Sequence, residues 1–395
     1  MSKLAINGGT PVLEKNSLPW PIASETDKKA LLEVYNAPSG SRKQNKAFCE
    51  SFAAYSDAKY CHTVANGTVS IELILRALGI GRGDEVIVPP YTFVASVSAI
   101  IYVGATPVFA DIDPETLNLD PACAEKAITE KTKAIMPVFV GGRPADVDAF
   151  EKLCQKRGLY LIIDAAQAVG SEFASKKLGK MGVAASISCQ NTKNLSSGEG
   201  GIILTSDDGL NERLSAMLNS SPTLSPSCIR LASGMSEYQA AILNSQLPNL
   251  DAQIQKRMEN SEYLTSLISG LDCVRALKQD GRITKNSRHL YIMRFFTKEL
   301  YGVDRDRFLK AVRAEGAPIT PGYNPLYTFP CMKGAYTNSC LEAPINCEPD
   351  TPVCHKIATE ESGWIYHSHL LKSKREMELF AEAIRKVSEN IDELR

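Results

Sequence analysis

Between residues 85 and 204 the chain alternates short, almost unbroken apolar runs with segments of helical periodicity. This alternation restricts the fold more than any other feature of the sequence. Residues 85–88, 106–110, 133–138 and 159–163 read as strands. Helices are expected after the first strand as far as residue 102, then at 121–129 and 147–157. Strands that are apolar on both faces need cover on both faces, which crossover helices supply. The predicted fold is therefore α/β: a large domain on a mostly parallel sheet, with a smaller α/β domain at the C-terminal end. Ligands of such sheets sit beyond the carboxyl ends of the strands.

One of those ends carries an acid. Asp164 closes the apolar run 159–163, and Gln167 stands three residues on. A second candidate is the stretch 186–201, Ser-Ile-Ser-Cys-Gln-Asn-Thr-Lys-Asn-Leu-Ser-Ser-Gly-Glu-Gly-Gly. It reads as a strand running into a polar, Gly-rich loop, with a further strand at 202–204. Lys193 lies in that loop, five residues after Ser188. A lysine between buried strands must reach solvent, be paired or do chemistry, and desolvation would make it a nucleophile. Earlier in the chain, Asn66 is a helix cap followed by Gly67 and Thr68. A helix start with a small residue and a hydroxyl suits an anion such as phosphate. Tyr91-Thr92-Phe93 adds an aromatic turn.

A phosphorylated aromatic aldehyde with a basic ring nitrogen would use all of these features at once. The lysine would bond the aldehyde, the acid would pair with the ring nitrogen, an aromatic would cover the ring, and the helix start would hold the phosphate. Pyridoxal 5′-phosphate (PLP) is the expected cofactor.

Composition limits the alternatives. A net charge of -1 over 395 residues gives no electrostatic reason to expect nucleic acid or an anionic membrane as partner. No apolar run reaches the roughly 20 residues of a membrane span, and the N-terminus lacks a signal-peptide core, so a cytoplasmic location is expected. The 11 cysteines form no Cys-x-x-Cys pair, and no metal site is expected.

The motifs together resemble the DegT/StrS family of sugar and aminocyclitol aminotransferases, which are fold-type I PLP enzymes. The resemblance is carried by Asn66-Gly67-Thr68, the stretches 83–89, 91–96 and 104–109, Asp164-Ala165-Ala166-Gln167-Ala168, and residues 188–201. It covers about residues 5–250 in the family's order and the C-terminal third more loosely. Gly8-Gly9-Thr10-Pro11-Val12 and Ser188-Cys189-Gln190 are most similar to members that aminate scyllo-inosose with glutamine and to 3-amino-5-hydroxybenzoate synthases.

The resemblance implies roles. Lys193 would bond the cofactor and move the proton, and Asp164 would face the ring nitrogen. Gln167 would lie near the ring hydroxyl and Phe93 over the ring. Gly67, Thr68 and Ser188 would cradle the phosphate, and Tyr323 would lie near substrate. Glutamate or glutamine would be the donor, a keto-sugar or keto-cyclitol the acceptor, and the enzyme a homodimer. One departure stands out: relatives carry Asn-x-Arg before Met-Ser-Glu, whereas this chain has Ala232 and Gly234 before Met235. Two other readings stay open, namely elimination with aromatisation on the same cofactor and a non-catalytic sensor. The domain boundary is expected near Leu250, giving a large domain of residues 1–250 and a small one of 251–395. The Ser/Pro-rich stretch 220–227 reads as a mobile or partner-covering loop.

Overall fold

The computed structural model describes residues 3–14, 19–38, 42–219, 231–339 and 341–395. The stretch 220–227 lies outside them.

Seven strands form the central sheet: β1 (Tyr60–Val64), β2 (Glu85–Val88), β3 (Thr106–Phe109), β4 (Thr132–Ile135), β5 (Tyr160–Asp164), β8 (Ala184–Ser188) and β9 (Gly201–Thr205). A two-stranded ribbon, β6 (Glu172–Phe173) and β7 (Lys176–Lys177), lies between β5 and β8 in sequence. The sheet order is β1-β9-β8-β5-β4-β2-β3. Only β9 runs against the others, pairing antiparallel with both β8 and β1. The mostly parallel sheet expected from the apolar runs is therefore present. The connections between successive strands from β1 to β5 run through helices, whereas β5 and β8 are joined through the β6–β7 ribbon.

Helices α1 (Glu25–Tyr35), α2 (Lys43–Ser56), α3 (Gly67–Ala77), α4 (Ala95–Tyr102), α5 (Pro121–Lys126), α6 (Val147–Arg157), α7 (Asp208–Asn219), α8 (Glu237–Gln246) and α9 (Leu250–Ile268) surround the sheet. Ile71, Ile74 and Leu75 of α3 are buried in one core with Val86 and Ile203 of the sheet. Phe48, Phe52 and Phe150 pack the opposite core against Ile87 and Ile163.

Beyond α9, strands β10 (Val274–Ala276), β11 (Leu290–Phe295), β12 (Ile319–Pro321) and β13 (Ser362–Tyr366) form an antiparallel sheet in the order β10-β11-β13-β12. The helices Arg305–Ala314 and Lys374–Glu389 share its core through Phe308, Leu309, Phe380 and Ile384. Leu4 joins that core from the other end of the sequence. Buried Glu315 fastens it there: its carboxylate accepts from the Ala5 and Val12 N–H groups at 2.7 and 3.1 Å and from Lys386 Nζ at 2.7 Å.

Several boundaries differ from expectation for local reasons. Ser24 accepts from Asp27 N–H while Asp27 accepts from Ser24 N–H, so the helix opens at Glu25 and Asp27 closes a capping box. The strand expected at 133–138 ends at Ile135, because Pro137 offers no N–H to a ladder. After residue 330 come the helices Pro330–Ser339 and Pro352–Lys356, each opened by a proline at its first position. Residues 319–321 form the edge strand β12. The terminal helix stops at Glu389, and a 3₁₀ turn, Ile391–Leu394, follows.

Candidate active site

A cleft of about 560 Å3 opens at the carboxyl edge of the central sheet, and its walls include Gly67, Thr68, Phe93, Asp164, Gln167, Ser188, Lys193 and Tyr323. All eight residues singled out in the sequence thus line one cavity, though they span more than half the chain.

Asp164 ends β5 and is 2% exposed. Its Oδ2 accepts from the Ser96 hydroxyl at 2.7 Å, and its Oδ1 from the Ala166 N–H at 3.1 Å. Burial pushes the carboxyl above its ordinary pKa; those two donors and the Lys193 charge oppose the shift. Lys193 lies in the β8–β9 loop. Burial holds its ammonium below the ordinary lysine value, against the pull of Asp164. An acid held in a fork of donors therefore shares the cleft with an amine primed to lose its proton.

The third component is the start of α3. The Asn66 side chain caps this helix by accepting from Val69 N–H at 2.9 Å. That leaves the N–H groups of the first turn and the positive end of the helix dipole toward the cleft. Gly67 is required here: a Cβ on it would lie 2.9 Å from the Ser188 Cβ. Small size at that position brings the helix start against β8 and leaves room beside the Thr68 and Ser188 hydroxyls.

Gln167 spans the cleft floor, accepting from Gly141 N–H at 2.7 Å and donating to the Tyr323 hydroxyl at 2.7 Å. Tyr323 meets Trp364 and Tyr91 edge-on, with ring centroids 4.8 and 5.7 Å apart. Phe93 is 57% exposed at the mouth of the cleft. Near the start of α3, Ser233 C=O accepts from Ala65 N–H at 2.7 Å and Gly234 bridges Val64. The segment that departs from Asn-x-Arg therefore runs beside the cradle without side chains longer than Ser233.

Sequence reasoning missed Ser96, His289, Trp364 and Tyr366, all of which line the cleft. Ser96 had a usable signal, since it falls one helical turn after Thr92, whose hydroxyl lies 3.0 Å from its own. The other three reach the cleft through pairing of β11 with β13, which no local pattern announces.

The family model for DegT/DnrJ/EryC1/StrS aminotransferases matches residues 22–359. The chain belongs to this aminotransferase family. It is 34% identical over 415 residues to an L-glutamine:2-deoxy-scyllo-inosose aminotransferase of Streptomyces paromomycinus, covering 97% of each chain. A solved 3-amino-5-hydroxybenzoic acid synthase superposes with a TM-score of 0.84 at 28% identity, covering 96% of this chain and 100% of that one. DesV of S. venezuelae, solved in complex with a ketimine intermediate, superposes with a TM-score of 0.81 at 31% identity, covering 92% of this chain and 94% of that one. As in these aminotransferases, the fold is that of fold-type I PLP enzymes.

Proposed function

We propose that this aminotransferase uses PLP to move an amino group from glutamine or glutamate to a keto-cyclitol or keto-sugar. The observation that carries the reading is the convergence, in one cleft, of a buried strand-end acid, a desolvated lysine and a helix-start cradle closed by Gly67. These residues fit the cofactor. Gly67, Thr68 and Ser188 would hold its phosphate, Asp164 its ring nitrogen, Gln167 its ring hydroxyl, Phe93 its face and Lys193 its aldehyde carbon. When bound, PLP supplies an electron sink that makes a carbon beside nitrogen acidic. Lys193, with its lowered proton affinity, holds and passes on a proton at Nζ, and Tyr323, its hydroxyl held by Gln167, orients substrate hydroxyls.

Support for a keto-cyclitol comes from the relative that aminates 2-deoxy-scyllo-inosose. The likeness to a 3-amino-5-hydroxybenzoic acid synthase favours the second reading, elimination with aromatisation. Mixing the coenzyme-loaded protein first with glutamine and then with 2-deoxy-scyllo-inosose separates them. Transamination bleaches the visible coenzyme band with the donor and restores it with the acceptor, giving one aminocyclitol per cycle. A band that neither substrate moves would overturn the proposal.

The same reading places a PLP-binding unit in residues 1–250 and a smaller unit in 251–395, in a cytoplasmic homodimer. The dimer is supported by exposed apolar side chains at the cleft mouth and on two adjoining helices. Phe93, Leu32 and Tyr35 of α1, and Tyr238 of the adjoining α8 are all exposed.

A further inference from the structure

Three successive residues of the lysine loop are each held by one aromatic N–H. Trp20 Nε1–H donates to the Lys193 carbonyl at 3.0 Å. His367 Nε2–H donates to the Thr192 carbonyl at 2.8 Å. His289 Nδ1–H donates to the Asn194 Oδ1 at 3.1 Å. The Asn194 amide has its orientation set by its other end, where Nδ2 donates to the Ser287 carbonyl at 2.7 Å. His367 touches both of the other rings. Trp20 meets His367 edge-on at 4.5 Å, and His367 stacks on His289 at 5.2 Å. The Arg257 guanidinium, fully buried, lies 5.5 Å from the centre of the Trp20 ring.

This bonding pattern keeps both imidazoles neutral. His367 spends its only N–H on a carbonyl, and its Nδ1 is buried without a partner. A second proton there would have no acceptor. Burial drives both histidines well below the ordinary imidazole pKa, with the charges of Lys193 and Arg257 acting in the same direction. The groups bearing on Lys193 are therefore one carboxylate across the cleft, Asp164, and a dry wall of neutral rings backed by a cation.

We propose that Trp20, His289 and His367 are positioning residues that fix the backbone of residues 192–194 and so hold the Lys193 amine dry and aimed into the cleft. They come from three distant parts of the sequence and touch the loop only through its backbone and one amide. Their effect on the amine is thus indirect. The proposal rests on Lys193 being the primed amine of the function proposed above.

Competitive acetylation of the coenzyme-free, full-length protein with trace acetic anhydride tests both. The Lys193 peptide is followed by mass spectrometry as a function of pH, beside circular-dichroism melts. In the wild-type protein the labelling midpoint should lie below the ordinary lysine value of 10.5. Trp20→Phe keeps the ring and removes the donor; His367→Leu removes donor and stack. Each should raise the midpoint by about one pH unit as water reaches the amine. His367→Gln, which restores an N–H donor, should bring it back. Folded variants with an unmoved midpoint overturn the positioning role. A wild-type midpoint at the ordinary value overturns the reading of Lys193 itself. If His367→Leu does not fold, Trp20→Phe decides alone.

Discussion

Lys193 and Asp164 are each costly to bury alone, and their opposite pKa shifts record that cost. For Lys193 the sign follows directly. Its folded pKa is below its unfolded one, so the unfolded chain binds more protons between the two values, and stability rises with pH across that window. Replacing Lys193 with Met should raise the melting temperature of the coenzyme-free protein by a few degrees at neutral pH. The gain should shrink to nothing as the pH approaches 10.5. Melts of both proteins at several pH values check this. Asp164→Asn keeps the shape and removes the charge. Turnover should fall about 100-fold, the usual loss when one preorganised electrostatic partner of a reacting centre is removed, while the melting temperature does not drop; kcat and melts measured together check both halves. At this scale much of the site was legible. A lysine after a buried strand and an acid at a strand end are local signals. Ring contacts were not: His367 reaches the loop from 175 positions away in sequence.

At the scale of elements, α3 and β8 meet without room to spare. Gly67→Ala would push its Cβ onto Ser188, an overpacking that costs about 1–3 kcal/mol and narrows the cradle. The expected result is a lower melting temperature with a weaker affinity for inorganic phosphate and for PLP, measured by calorimetry. Asn66→Ala should cost about 1 kcal/mol through the lost cap with a smaller effect on phosphate, because the space beside Ser188 remains. The apolar runs predicted the strands well, since a strand covered on both faces has to be apolar throughout. They could not predict that β1 lies beside β9 at the edge or that β9 alone is reversed. The β1–β9 pairing is made across more than a hundred residues, where local periodicity carries no information; β9 is reversed because the short lysine loop turns the chain straight back beside β8. The helices after residue 330 have too few turns to show a period in the sequence.

For the whole molecule, the N-terminal segment is fastened to the C-terminal core through Glu393, which accepts from Leu4 and Asn7, and through Glu315, which is fully buried with Lys386 as its cation. Glu315→Ala would leave Lys386 without its carboxylate, bonded only to the Thr10 carbonyl, and two backbone N–H groups without their acceptor, a change worth about 3–5 kcal/mol when a buried pair is broken. Urea unfolding should show the loss, and limited proteolysis should release the first residues sooner than in wild type. The exposed α1 face makes a second prediction at this scale. Leu32→Glu should lower the mass seen by light scattering from dimer to monomer, while the fold persists by circular dichroism.

The ties on residues 192–194 also impose an order on synthesis. A chain still on the ribosome can pair its central strands once β9 has emerged. The tie to Thr192, however, comes from His367, 175 positions further along the chain. The nascent polypeptide therefore carries Lys193 in an unfinished setting until the strand that leads into His367 has been made.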